Sequence, residues 1–174
     1  MRLRLLLVYL LAIILASGCG GEGGAGPGTE TVARVVDGDT IDLADGERVR
    51  LVQIDTPEVY GEPECFGAEA SAEARRLLPP GTTVRLEAEP ATDDVDDSGR
   101  LLRYVIRGRD DLNVNVRLVE RGAAAPYFFE GRRGRYADEL ERLARAARED
   151  GRDLWGRCPG TPYEPDRGVA TGPA

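Results

Sequence analysis

Hydrophobic and polar positions alternate through Thr31-Val32-Ala33-Arg34-Val35-Val36, and after Asp37-Gly38 they alternate again through Asp39-Thr40-Ile41-Asp42-Leu43. β-Branched residues at a period of two around an Asp-Gly turn predict a hairpin. A second turn, Ala44-Asp45-Gly46, leads into a third strand over residues 47–54. The opening is therefore a three-stranded meander, too small to be stable alone. The period then changes. Residues 68–78 contain no breaker, place Ala70, Ala74, Leu77 and Leu78 at helical spacing, and stop at Pro79-Pro80-Gly81. Residues 83–87 and 101–106 read as the fourth and fifth strands, separated by the acidic loop Asp93-Asp94-Val95-Asp96-Asp97-Ser98-Gly99. A second helix is predicted over 113–121, with Val114, Leu118 and Val119 inward and Gly122 ending it. A third, the longest, is predicted over 136–149, with Leu140, Leu143, Ala144 and Ala147 on one face.

Five short strands, with a helix after the third and helices at the end, predict an α+β fold: a five-stranded Greek-key β-barrel of the OB type with three helices. Periodicity alone supports only the α+β class. The two ends lie outside this pattern. Residues 1–15 are nearly all apolar behind Arg2 and Arg4, and the run is too short to span a bilayer comfortably, which predicts a secretory signal over residues 1–18. Leu15-Ala16-Ser17-Gly18-Cys19 resembles a bacterial lipoprotein signal, which implies a lipidated Cys19 at the mature N-terminus and an exported chain anchored at the extracytoplasmic face of the membrane. Ala16 stands where that signal prefers Leu; an ordinary cleaved signal containing a Cys is the alternative. Residues 19–28 then form a Gly-rich tether, 29–158 the folded domain, and 159–174, rich in Pro and Gly with no apolar period, a disordered tail.

Composition narrows the chemistry. The 174 residues contain no His, which removes Ser-His-Asp and Cys-His hydrolases, paired-His nucleases and His-ligated zinc. Three Cys cannot make a four-thiolate zinc site. If Cys19 carries lipid, Cys65 and Cys158 remain as an even pair in an oxidising compartment, where a bridge closing so long a loop is worth up to ~4–5 kcal/mol in the chain-entropy model. Two unpaired thiols are the alternative. Every basic residue is Arg, and the net charge is −8, becoming −10 once Arg2 and Arg4 leave with the signal. Such a balance opposes polyanions unless Arg clusters locally, and Arg132, Arg133 and Arg135 form one such cluster or merely a solvated loop. Nothing in the pattern calls for more than a monomer.

Three segments carry candidate chemistry: Asp37-Gly38-Asp39-Thr40, then Arg50 through Glu58, then Ser98-Gly99-Arg100. Each has a plainer reading on its own. Asp-Gly is a hairpin turn, Asp55-Thr56-Pro57-Glu58 a strand end, and Arg100 a solvated partner of its acidic loop. Together they suggest more. Asp39 begins the second strand and Asp55 ends the third, so neighbouring strands would bring two carboxylates to one end of the barrel. With a backbone carbonyl they make an all-oxygen site of the kind hard cations such as Ca²⁺ prefer. Glu58 lies just beyond, placed to act as a base on an attacking water or to orient it. Arg50 and Arg100 would supply forks for phosphate oxygens and for charge developing at phosphorus. The stretch Asp94-Val95-Asp96-Asp97-Ser98-Gly99 imitates an EF-hand start, but the twelfth position is Val105 rather than Glu, which rejects a calmodulin-like site.

In this order and spacing the segments resemble the staphylococcal nuclease (thermonuclease) family, over residues 32–155. Phe66-Gly67-Ala68-Glu69-Ala70-Ser71, Val114-Asn115, Leu118-Val119 and Leu154-Trp155 extend the match. The resemblance implies Ca²⁺ ligands at Asp39, Asp55 and the backbone carbonyl of Thr56, and catalytic residues at Arg50, Glu58 and Arg100. It implies substrate contacts from Arg50, Arg100 and Tyr127, with Tyr127 and Phe128 placed where the family sets aromatics against the nucleoside. It further implies an OB barrel and a Ca²⁺-dependent nuclease cutting DNA and RNA to leave 3′-phosphate ends. The chain departs at Asp97 and Ser98, where members commonly carry a basic residue and a Tyr beside the bound nucleotide. Two other functions fit the pattern: an OB-fold module that holds nucleic acid without cutting it, and a structural envelope lipoprotein that meets a protein partner.

Overall fold

In a computed structural model that describes residues 28–174, the alternating segments form β1 (Thr29–Val35), β2 (Thr40–Leu43) and β3 (Arg48–Leu51), followed by the two-residue β4 (Ile54–Asp55). Helix α1 (Gly67–Leu77) leads to β5 (Thr83–Ala88) and β6 (Leu101–Arg107), and β7 (Leu112–Asn113) runs directly into α2 (Val114–Arg121). A short β8 (Ala125–Pro126), a 3₁₀ turn at Phe129–Gly131, α3 (Ala137–Glu149) and α4 (Leu154–Arg157) complete the chain. The expected signal, Cys19 and most of the tether lie outside the described residues.

The strands run in the order β3-β2-β1-β5-β6 with antiparallel neighbours, and a parallel pairing of β3 with β6 closes the ring. This is the five-stranded barrel of the α+β, OB-type expectation, with three substantial helices outside it. Period-two alternation explains the interior: Val32, Ile41, Val49, Leu51, Val84 and Val105 are all essentially inaccessible. The helices bury their predicted faces in the same core, through Ala70, Ala74 and Leu77 of α1, Leu118 and Val119 of α2, and Leu140 and Ala144 of α3. Asn113 caps α2 by accepting from the Val116 N–H. Inside that helix, fully buried Asn115 accepts from the Val105 N–H at 3.0 Å and donates to the Val52 carbonyl at 2.9 Å, which ties α2 to the barrel.

Cys65 and Cys158, 93 positions apart, are joined as a disulfide. The tail differs from expectation. Residues 159–174 form no regular element, yet they run back along the domain, with Val169 and Thr171 buried and Val169 packed into the core. Backbone hydrogen bonds replace the missing apolar period: the Phe128 N–H donates to the Pro165 carbonyl, the Cys65 N–H to that of Gly172, and the Ala174 N–H to that of Pro63. Pattern analysis does not register such a segment, because its order comes from backbone pairing with distant residues.

Candidate active site

Barrel closure assembles the site. Pairing Arg50 with Thr40 across β2–β3 sets Arg50 beside the start of β2, where Asp39 lies. The parallel register pairs Arg50 with Leu102 and Val49 with Leu101, which brings Arg100 to the same mouth. β4 pairs Asp55 with Ala125 and Ile54 with Pro126, so Tyr127 follows at the same edge, its N–H donating to the Gln53 carbonyl. Three segments far apart in sequence thus converge, as expected.

Arg50 is the centre of the arrangement. Its side chain is 13% exposed, with Nη1 3.2 Å from Asp39 Oδ2 and Nη2 2.7 Å from Asp55 Oδ1. Nη1 also donates to the carbonyls of Leu51 and Ile54. Asp39 Oδ2 accepts from both the N–H and the hydroxyl of Thr56, at 2.9 and 2.8 Å. Thr56 packs so closely on the Asp37-Gly38 turn that a Cβ on Gly38 would lie 2.5 Å from its hydroxyl oxygen. The glycine of that turn therefore serves close approach as well as turn geometry.

Charge is crowded here. Burial pushes the Asp55 carboxyl up to about 6; the Arg50 guanidinium opposes that rise and the Asp39 carboxylate adds to it. Burial, then repulsion from Asp39 and Asp37, raises Glu58, and burial followed by repulsion from Asp39 raises Asp37. Among the described residues no three His, Cys, Asp or Glu side chains are grouped to hold an ion. The donor set is instead two carboxylates and a backbone oxygen. The rise that the Asp39 carboxylate adds at Asp55 is a charge conflict that a hard divalent cation relieves, so Asp39, Asp55 and Thr56 fit such an ion.

Glu58 is exposed, in a loop held by paired bonds with Glu64: the Glu58 N–H donates to Glu64 Oε2 at 2.8 Å and the Glu64 N–H to the Glu58 carbonyl at 2.9 Å. Arg100 is 32% exposed and its Nε lies 2.7 Å from Asp96 Oδ2, so the acidic loop does partner it. Arg50, Arg100, Tyr127, Phe129 and Arg132 line one cleft of about 320 Å³, together with Asp96 and Asp97.

Two expectations change. Phe128, expected beside Tyr127 against a nucleoside, is fully buried in the core, whereas Phe129 is 52% exposed and meets Tyr127 edge-on at 6.3 Å. The Arg132, Arg133 and Arg135 cluster is not a free basic patch. Arg132 pairs with Asp93 and Glu130, Arg133 with Asp138 and Glu141, and Arg135 with Glu87 and Glu89. Gln53 has a part that no motif marks: its buried side chain donates to the Arg132 carbonyl and accepts from the Gly134 N–H, which ties the segment after Phe129 to the barrel. Its positive φ of 65° leaves no mark in a hydrophobic pattern.

The sequence has relatives. The staphylococcal nuclease homologue family matches residues 48–157. The chain is 35% identical over 133 residues to a thermonuclease of Staphylococcus intermedius, covering 72% of this chain and 75% of that one. It is 38% identical over 135 residues to protein ParB of Escherichia coli, covering 71% and 70%. It is also 32% identical over 137 residues to endonuclease YhcR of Bacillus subtilis, covering 71% of this chain and 11% of that longer protein.

Proposed function

The chain belongs to the staphylococcal nuclease family, and on that premise we propose that it is a Ca²⁺-dependent phosphodiesterase. It hydrolyses DNA and RNA to products with 3′-phosphate ends, and it acts as an exported monomer held at the membrane by lipid on Cys19. The observation that carries the chemistry is Arg50, which bridges Asp39 and Asp55 while facing the cleft that Arg100 and Tyr127 line.

Asp39, Asp55 and the Thr56 carbonyl would hold the calcium, which when bound supplies positive charge to a phosphoryl oxygen. Arg50 is already fixed by four acceptors, so it meets a phosphate oxygen without reorganising. Arg100 lines the same cleft and presents a second guanidinium to it. Glu58 accepts the proton of the attacking water or orients it, and its upward shift makes it the better acceptor. The new bond joins the water oxygen to phosphorus and the bond to the 5′ oxygen breaks, leaving phosphate on the 3′ side. Tyr127 and the exposed Phe129 offer faces for bases.

The test is digestion of 5′-labelled single-stranded DNA and RNA in calcium or in chelator, with the product ends identified by mass. Calcium-dependent products carrying 3′-phosphate are expected; 5′-phosphate ends or cutting in chelator would contradict the assignment. A folded protein that binds oligonucleotide without cutting it would be the binding module instead. For the anchor, incorporation of labelled fatty acid is expected in the full chain and absent from Cys19→Ser.

A further inference from the structure

The C-terminal strap, residues 159–174, reaches the site yet supplies none of the chemistry above. It begins at the disulfide, since Cys158 is bridged to Cys65, and it is pinned on both sides of Val169. Upstream, the Pro165 carbonyl accepts from the Phe128 N–H at 2.7 Å. Downstream, the Thr171 hydroxyl donates to the Cys65 carbonyl and the Gly172 carbonyl accepts from the Cys65 N–H, both at 2.8 Å. Between these anchors the Val169 N–H donates to Asp55 Oδ2 at 2.9 Å. Gly168 lies so close that a Cβ there would sit 2.5 Å from the same oxygen, and its φ is +78°. Only glycine lets the backbone lie against the carboxylate at that point.

Asp55 is therefore gripped from two directions: Oδ1 by Arg50 of the barrel and Oδ2 by Val169 of the strap. The strap's anchor at Cys65 also borders Glu64, which holds the Glu58 loop. We propose that Val169 is a positioning residue for Asp55: its backbone N–H, delivered by the strap, fixes the carboxylate in the orientation that takes the cation. This rests on the reading of Asp55 as a calcium ligand. Groups that orient a ligand from outside typically govern metal affinity by about 10–100-fold.

The experiment uses the full chain with two substitutions at one position. Val169→Pro removes the N–H, and Val169→Ala keeps it while trimming the side chain. Calorimetric titration with calcium should show binding weakened about tenfold or more by Val169→Pro and changed by no more than about twofold by Val169→Ala. Equal weakening by both, or none by Val169→Pro in a protein with the wild-type thermal transition, would overturn the positioning role. Should Val169→Pro fail to fold, Gly168→Ala, which pushes the strap off Asp55, is expected to weaken calcium binding in the same direction, and unchanged binding would overturn the role. Hydrogen exchange supplies a readout without the cation. In metal-free wild type the Val169 amide should be protected, and Asp55→Ala should release it. An unprotected Val169 amide overturns the positioning role alone. A protected amide in a wild type that binds no calcium overturns the proposed metal chemistry and the role built on it.

Discussion

The cleft has two walls built on opposite principles. On the barrel wall, Arg50 is 13% exposed and its partners are Asp39, Asp55 and two backbone carbonyls, all set by strand pairing and the turn at Gln53. On the loop wall, Arg100 is 32% exposed and is tied to Asp96, a carboxylate of its own acidic loop. Asp96 is partly desolvated, yet bonds from the Arg100 N–H and side chain hold it below the usual carboxylate range, so it stays ionised beside the arginine. The barrel wall is already assembled around Arg50, and on the proposed reading its two carboxylates would take the cation. On the same reading Arg100 would exchange the Asp96 carboxylate for a phosphate. The two arginines of one cleft thus differ in freedom: Arg50 is held by the fold, and Arg100 is held by a loop carboxylate that a competing anion could replace.

The sharpest way to break this contrast is to remove each arginine and measure urea unfolding of the metal-free protein. Arg50→Ala strands two largely buried carboxylates and should cost about 3–5 kcal/mol. Arg100→Ala breaks a pair whose arginine is the more exposed and leaves Asp96 still accepting from the Ser98 and residue-100 N–H groups, so it should cost no more than about 1 kcal/mol. Equal losses would mean the walls are built alike.

The aromatics divide in a parallel way. Phe128→Ala should lower stability by about 3–5 kcal/mol, because the ring is fully buried. Phe129→Ala should leave the unfolding midpoint in place and weaken oligonucleotide binding by about 1–3 kcal/mol. A reversed pattern, read by unfolding and fluorescence anisotropy, would reject the exchange of roles between these neighbours.

Between pH 4 and 7, protonation probes the barrel wall. Asp55 titrates near 6 in the fold and at about 3.9 in an unfolded chain. Its folded value is raised, so its contribution is fully present below the unfolded value and is lost as pH rises through the folded one. The metal-free protein should therefore lose on the order of 2 kcal/mol from this group between pH 4 and 7. Asp55→Asn should flatten that slope, and a slope unaltered by the substitution would locate the titration elsewhere.

The smallest effect belongs to the loop wall. Asp97 lines the cleft beside Arg100 without a part in the barrel. Asp97→Arg should lower KM several-fold, leave kcat nearly unchanged, and steepen the salt dependence of binding by about one unit of slope. A fall in kcat instead would place Asp97 among the reacting groups.

Much of this was legible in the sequence. Alternation and helical spacing located the barrel strands and helices to within a residue or two, because their interior faces are apolar at regular periods, except that the third strand, expected over 47–54, ends at Leu51 and gives way, at the positive-φ Gln53, to the separate β4 that carries Asp55. The convergence of Asp39, Arg50, Asp55 and Arg100 at one end of the barrel was legible because Asp39 and Arg100 immediately precede β2 and β6, Arg50 lies in β3 and Asp55 in β4. The neighbouring pair Phe128 and Phe129 was not, since a short β8 followed by a 3₁₀ turn has no period to tell inward from outward. The strap escaped for a related reason: a Pro/Gly-rich segment ordered by backbone bonds to Phe128, Cys65 and Pro63 leaves no apolar signature. Nor does composition reveal that Arg132, Arg133 and Arg135 are each already paired with acids.

The most direct test of the account is single-turnover cleavage of a short single-stranded DNA in calcium by wild type, Arg50→Ala and Arg100→Ala, with binding of the same oligonucleotide measured in parallel. The account predicts calcium-dependent cutting by wild type and a loss of about 10²–10³-fold or more in the cleavage step for each variant, with oligonucleotide still bound by folded protein. A folded Arg50→Ala protein that cuts at the wild-type rate would contradict it.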